Sequence, residues 1–309
     1  MLLKPQTAYR VRQNTNTDTP IPPDEASGQN PPDGAIINYA LASAASGPVT
    51  LEILDAAGAR VRVYSSADRI EMPDASMAPV PLYWYRAPQV LPTTAGMHRF
   101  LWDLHYQPLR GGGGGRGGLP IAAVPHDTPP APNSPWAAPG QYSVKLTVDG
   151  KAYIQPLMVK MDPRVKTPAI GLTQQFMLSK QLYDGVLEVQ KAQDEIQDLR
   201  SRSAKASAER TGSPDRLALT TFVDKLIALE GQPAAGFGGG RGAAADGPDT
   251  LSNITGGLNQ LLGLLQGADA TPTTQLVAAV GQRRAALNKL IARWNALKAE
   301  ARTLRLSGT

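Results

Sequence analysis

The stretch Pro139–Val165, PGQYSVKLTVDGKAYIQPLMVKMDPRV, decides how this chain is read. Tyr142, Val144, Leu146 and Val148 alternate with Ser143, Lys145 and Thr147. A period of two is the pattern of a strand with one buried face. Asp149-Gly150 suits a tight hairpin turn, whose central positions need positive φ. Tyr153–Lys160 returns, and Pro156, having no N–H, places that strand at an edge or a bulge. Immediately afterwards proline becomes scarce: residues 1–165 hold 22 of the 27 prolines and residues 166–309 hold five. The first part therefore reads as strands and loops, the second as helices.

Upstream, the same reasoning yields more strands. Ile36, Ile37, Tyr39 and Leu41 suggest one. Val49, Leu51 and Ile53 alternate with polar residues, Asp55–Gly58 turns, and Arg60–Tyr64 returns. Arg99–Leu104 is a further strand. Six or seven short antiparallel strands within residues 35–165 predict a β-sandwich of immunoglobulin-like type. Residues 107–139, with Arg110–Gly118 and Pro129, Pro130 and Pro132, read as an inserted, disordered loop. Residues 1–34 are rich in proline and poor in large apolar side chains, and read as an extended linker or strap.

Downstream, apolar residues at three- and four-residue spacing predict helices over about 173–203, 214–230, 250–266 and 272–304. Thr173 is the expected first N-cap. Ser213-Pro214 and Thr271-Pro272 are cap-plus-proline starts. Leu287, Leu290, Trp294, Leu297, Ala301 and Leu304 form a heptad seam. The first and last helices are long, and the two short ones are expected to stack along them in an antiparallel bundle. The predicted fold class is thus α+β in two domains, an immunoglobulin-like antiparallel sandwich followed by an antiparallel helical bundle occupying 166–309.

Composition sets limits on the chemistry. The 309 residues contain no Cys, which removes disulfides, thiolate metal sites and a cysteine nucleophile. Net charge is +5. Residues 271–309 carry seven basic side chains and one acid, Glu300. A basic helix can meet nucleic acid, but a solvated helix face explains the same pattern. No apolar run approaches membrane-spanning length, and MLLKPQTAYR lacks the apolar core of a signal peptide.

The remaining motifs are weak. His98, His105 and His126 show no metal-ligand spacing. Asp103 and the turn residues Asp55, Asp149 and Asp162 form no evident catalytic pair. Gly113, Gly115 and Gly118 spell a nucleotide-binding pattern without the strand and helix it needs. Arg110–Gly118 and Gly236–Gly242 are Arg-Gly segments of the kind that meet RNA, although each joins folded elements. Tyr83, Trp84, Tyr85 and Trp136 are the candidate binding residues, as an aromatic platform for a glycan; the competing reading is that such rings seal a core.

Five segments in order carry a family resemblance: PPDGAIINYAL (Pro31–Leu41), GPVTLEILDAAG (Gly47–Gly58), PLYWYRAP (Pro81–Pro88), GMHRFLWDLHY (Gly96–Tyr106) and the Pro139–Val165 stretch. Together they resemble the C-terminal region of bacterial proteins with sortilin-like, Asp-box (BNR, WD40/YVTN-like) β-propellers that are commonly labelled glycosyl hydrolases. This chain has no Asp-box repeat. The resemblance implies that the propellers lie upstream in a larger exported protein, of which this chain is the C-terminal fragment. It also implies a periplasmic or extracellular location and β-propeller domains as partners. Any hydrolase activity would reside in those propellers. The expectation is therefore a non-catalytic accessory or interaction module with no catalytic residue, metal or cofactor. The alternatives are a carbohydrate-binding module using the four aromatics, or a nucleic-acid binder using the Arg-Gly segments and the basic last helix; the charge pattern weighs against the latter.

Overall fold

The computed structural model describes residues 1–12, 22, 24–26, 32–69, 75, 81–110, 122, 125–128, 133–209, 215–231, 249–304 and 306. The Gly-rich part of the 107–139 insertion and the Gly236–Gly242 segment lie outside them. Two compact units divide at Thr167/Pro168.

The described residues of the first unit contain seven strands: β1 (Ala8–Arg10), β2 (Ala35–Leu41), β3 (Thr50–Leu54), β4 (Arg60–Ser65), β5 (Gly96–Trp102), β6 (Gly140–Val148) and β7 (Lys151–Met161). Five of them form one sheet in the order β1-β7-β6-β3-β4, and β2 and β5 form a second, two-stranded sheet. The β6–β7 hairpin closes at Asp149 and Gly150, with φ of 47° and 78°. Alternate residues pair on the buried face, with Leu51 opposite Leu146 and Ile53 opposite Val144.

This is not the predicted immunoglobulin-like sandwich. The large sheet is mixed and curls into a half-barrel, and its companion has only two strands. The mixing comes from β1, which runs parallel to β7 with Ala8 opposite Val159 and Arg10 opposite Met161. Period-two alternation shows which face of a strand is buried, but not which strands share a sheet. Ala8–Arg10 lies within the segment read as a strap. Nearer the start, Leu2 bridges to Tyr39, and the Leu3 amide donates to the Asn38 carbonyl at 3.0 Å. The first ten residues thus pair with both sheets.

The core of this unit lies between the sheets. Ile37, Tyr39, Phe100 and Trp102 are fully or almost fully buried. Phe100 meets Tyr64 edge-on at 4.7 Å, and Trp102 meets Tyr142 edge-on at 5.5 Å. A buried ring such as Phe100 contributes about 2–3 kcal/mol. Burial also pushes the Tyr39 phenol up to about 12; its hydroxyl donates to the Pro92 carbonyl at 2.8 Å.

The described residues of the second unit form four helices: α1 (Ala169–Glu209), α2 (Asp215–Glu230), α3 (Leu251–Gln266) and α4 (Thr274–Thr303). The α1 helix starts before Thr173, whose hydroxyl donates back to the Ala169 carbonyl at 2.9 Å instead of capping. The N-cap of α4 is Thr273, whose oxygen accepts from the Leu276 amide at 3.2 Å.

The helices occupy three positions in cross-section. Along α1, Gln175 donates to the carbonyls of Leu265 and Ala268, and Gly185 lies against Leu258, so α3 runs antiparallel to α1. Gly185 also abuts Leu287, while Glu195 meets Trp294 and Lys298, so α4 runs parallel to α1. The end of α2 reaches α1 at Arg200, which pairs with Glu230 at 2.8 Å. There α3 takes over end to end, with the Ser252 hydroxyl donating to the Glu230 carbonyl at 2.9 Å. Two short helices in series therefore oppose two long parallel ones, where an antiparallel four-helix arrangement was expected. No helix among the described residues is long and apolar enough to cross a membrane.

Candidate functional site

The most polar buried cluster forms where the chain leaves β5. Trp102 is followed by Asp103, Leu104 and His105, and Leu104 adopts φ 58°. A leucine in the left-handed region is strained and persists only where surrounding structure fixes it. Here that structure is visible. The Leu104 carbonyl accepts from the Ala137 amide at 2.7 Å, and the Trp102 indole donates to the His105 carbonyl at 2.9 Å. The Asp103 carboxylate accepts from the His105 amide at 3.1 Å.

His105 is 5% exposed. Its Nδ1 lies 2.8 Å from the Asp103 carbonyl oxygen. A carbonyl can only accept, so Nδ1 carries the proton and Nε2 presents a lone pair. That Nε2 is buried with no hydrogen-bond partner among the described residues. Burial lowers the imidazole pKa, the charge and carbonyl of Asp103 oppose this, and the Arg62 and Arg10 guanidiniums lower it further. The ring is held neutral.

Two arginines from separate strands converge here. Arg10 on β1 is 5% exposed and directs Nη1 toward the Ala137 carbonyl at 3.4 Å. Arg62 on β4 donates to the Tyr106 carbonyl at 3.1 Å and lies 4.7 Å above the Tyr64 ring. Buried Ser134 donates to the same Tyr106 carbonyl at 2.8 Å. Burial raises the Tyr64 phenol, the Asp103 charge raises it further, and Arg62 acts against both.

The four aromatic residues singled out from sequence divide between two places. Trp136 joins this cluster, half-buried, with its ring 4.0 Å from His105 and the Arg10 and Arg12 guanidiniums 5.8 and 5.9 Å away. Tyr83 and Trp84 sit on a short 3-10 turn, Leu82–Trp84. Tyr83 is 52% exposed, but its ring stands at 81° to Trp84 and edge-on to His126. Tyr85 is buried, and next to it Arg86 pairs with Asp127 at 2.6 Å and Asp33 at 3.1 Å. Tyr83, Trp84 and Tyr85 thus offer no flat, continuous platform.

Sequence reasoning considered His105 as a metal ligand and Asp103 as a catalytic carboxylate, and found neither distinctive. It passed over Arg10 and Arg62. No spacing rule links residues 10, 62 and 105, because two separate strands and the turn after β5 bring them together. Among the described residues, no group of three or more His, Cys, Asp or Glu is placed to hold a metal ion. The side-chain hydrogen bonds of Trp102, Arg62, Ser134 and His105 go to backbone carbonyls, while His105 Nε2 and Arg62 Nε are buried with no hydrogen-bond partner among the described residues. Chemically, this is a latch that fixes the Asp103–Tyr106 turn against residues 134–137.

No protein-family model matches the chain, and no curated protein matches it.

Proposed function

We propose that this chain is a non-catalytic interaction module that serves a β-propeller partner in an exported assembly. The observation that carries this reading is the use of the buried polar groups. Trp102, Arg62, Ser134 and His105 all direct hydrogen bonds to carbonyls of the chain's own turns. A catalytic imidazole needs an accessible nitrogen near a reacting proton; the His105 Nε2 is sealed. The resemblance of Pro31–Leu41, Gly96–Tyr106 and Pro139–Val165 to propeller-associated regions supplies the partner class.

The test is hydrolysis by the purified 309-residue chain, using aryl glycosides and polysaccharides. The expected result is no turnover above background. Turnover abolished by a single carboxylate substitution, such as Asp103→Asn, would overturn the reading.

A further inference from the structure

The α3–α4 face carries a cleft. Gly257, Gln260 and Leu261 of α3 and Ala279, Gln282, Arg283 and Ala286 of α4 line a cleft of about 360 Å³. Its floor is made of small residues, and a Cβ on Gly257 would press on the Arg283 side chain at 3.0 Å. The α3 wall contains no charged residue at all. Leu264, on the same helical face as Gly257 and Leu261, is 62% exposed.

The α4 wall has the opposite character. Its single acid, Glu300, is taken by Lys225 at 2.7 Å. Arg284 and Lys298 face Glu188 and Glu195 on α1. Arg283, Lys289 and Arg293 have no ion-pair partner among the described residues. From Ala279 through Ala286 to Arg293, three- and four-residue spacing keeps these positions on one stripe, about 21 Å long. The helices run oppositely, since Gly257 abuts Arg283 while Leu261 and Ala279 share the cleft. Beyond the lining residues, the surface continues to exposed Leu264 along α3 and to exposed Lys289 and Arg293 along α4.

We infer that this cleft receives an amphipathic helix of a partner protein, with aliphatic side chains at one end and Asp or Glu two to three turns away. A groove between packed helices with small residues at its floor accepts a third helix through ridge-into-groove contact. Three uncompensated cations beside an uncharged wall select acids by charge complementarity. The inference rests on the interaction-module reading and names the partner's chemistry.

The experiment uses the whole chain and two synthetic helical peptides of about 20 residues. They share one Leu/Ala stripe and carry either Glu or Lys on the flanks. Fluorescence anisotropy at low salt is expected to show the Glu peptide binding roughly tenfold or more tightly than its Lys twin. The preference should shrink at about 0.5 M salt. The surface variant Arg283→Glu/Lys289→Glu/Arg293→Glu should reverse it, with helicity unchanged by circular dichroism. Equal binding of both peptides, no binding of either, or an unaffected triple variant would overturn the inference. Cation-dependent self-association in sedimentation, or tighter binding of a single-stranded RNA probe that the triple variant loses, would also overturn it, by giving the cleft to another occupant. None of these outcomes creates hydrolytic turnover, so the inference and the underlying reading fail separately.

Discussion

The imidazole of His105 lies against the indole of Trp136 with ring centroids 4.0 Å apart, and the two residues form a β-bridge across the turn after β5. A tilted ring contact, at 45° between planes, and backbone pairing thus act on the same pair. Burial, with smaller contributions from the Arg62 and Arg10 charges, lowers the pKa of the imidazole.

A pH dependence follows. The folded-state pKa of His105 is lowered from the ordinary 6.5, mainly by burial. The unfolded chain therefore binds the proton more readily than the folded one. The contribution is full above pH 6.5 and is lost as pH falls through that value toward the lower folded pKa. Urea melts should show stability falling as pH drops below that point. The His105→Gln variant should be flatter over the same window; an equally steep profile would reassign the titration.

Gly34 has φ 92°, and a Cβ there would collide with the carbonyl oxygen of Trp102. The three nearest atoms, from Trp102 and Asp103, are all backbone, so no rotamer change relieves the clash. Gly34→Ala should cost at least about 3 kcal/mol. Gly58→Ala, also at positive φ (79°) but with open space around it, should cost about 1 kcal/mol. Chemical denaturation of the two variants makes the comparison.

Trp294 separates packing from polarity on α4. It is 2% exposed, and its indole donates to Glu195 at 3.3 Å. Trp294→Ala should cost about 3–5 kcal/mol. Trp294→Phe keeps most of the volume and removes the hydrogen bond, and should cost about 1–2 kcal/mol. Thermal unfolding followed at 222 nm reads both.

Tyr83 and Tyr85 are two residues apart in sequence and differ in exposure, at 52% and 6%. Tyr83→Ala should change stability by less than about 0.5 kcal/mol, and Tyr85→Ala should cost about 3 kcal/mol. If Tyr83→Ala instead abolished retention on a polysaccharide column, the perpendicular Tyr83 and Trp84 rings would have a binding role.

The sequence was most legible where structure is local. The Tyr142–Val148 alternation and the Asp149-Gly150 turn correspond directly to β6, β7 and their hairpin. Of the α3 residues whose spacing marks the inner face, Leu251, Ile254, Leu258 and Leu265 are buried, whereas Leu261 is half-buried and Leu262 is buried in addition. What stayed hidden depends on distant partners. Ala8–Arg10 is too short to show a period, and its partners are Val159–Met161. The serial arrangement of α2 and α3 depends on Ser252 meeting Glu230 across residues outside the described set. Periodicity describes faces; it carries no information on the direction in which helices of different length line up. The latch was illegible for the same reason: Arg10, Arg62 and His105 acquire meaning only together.

The parallel pairing of Ala8–Arg10 with Val159–Met161 also imposes an order of events on the growing polypeptide. Ala8–Arg10 belong to a strand whose ladder partner among the described residues, Val159–Met161, is made some 150 residues later. Closing so large a loop is entropically unfavourable until the intervening hairpins have shortened it. The β3–β4 and β6–β7 hairpins can zip early, whereas the amino-terminal edge can dock only last. During synthesis, that waiting edge of β7 is the surface most open to capture by another chain.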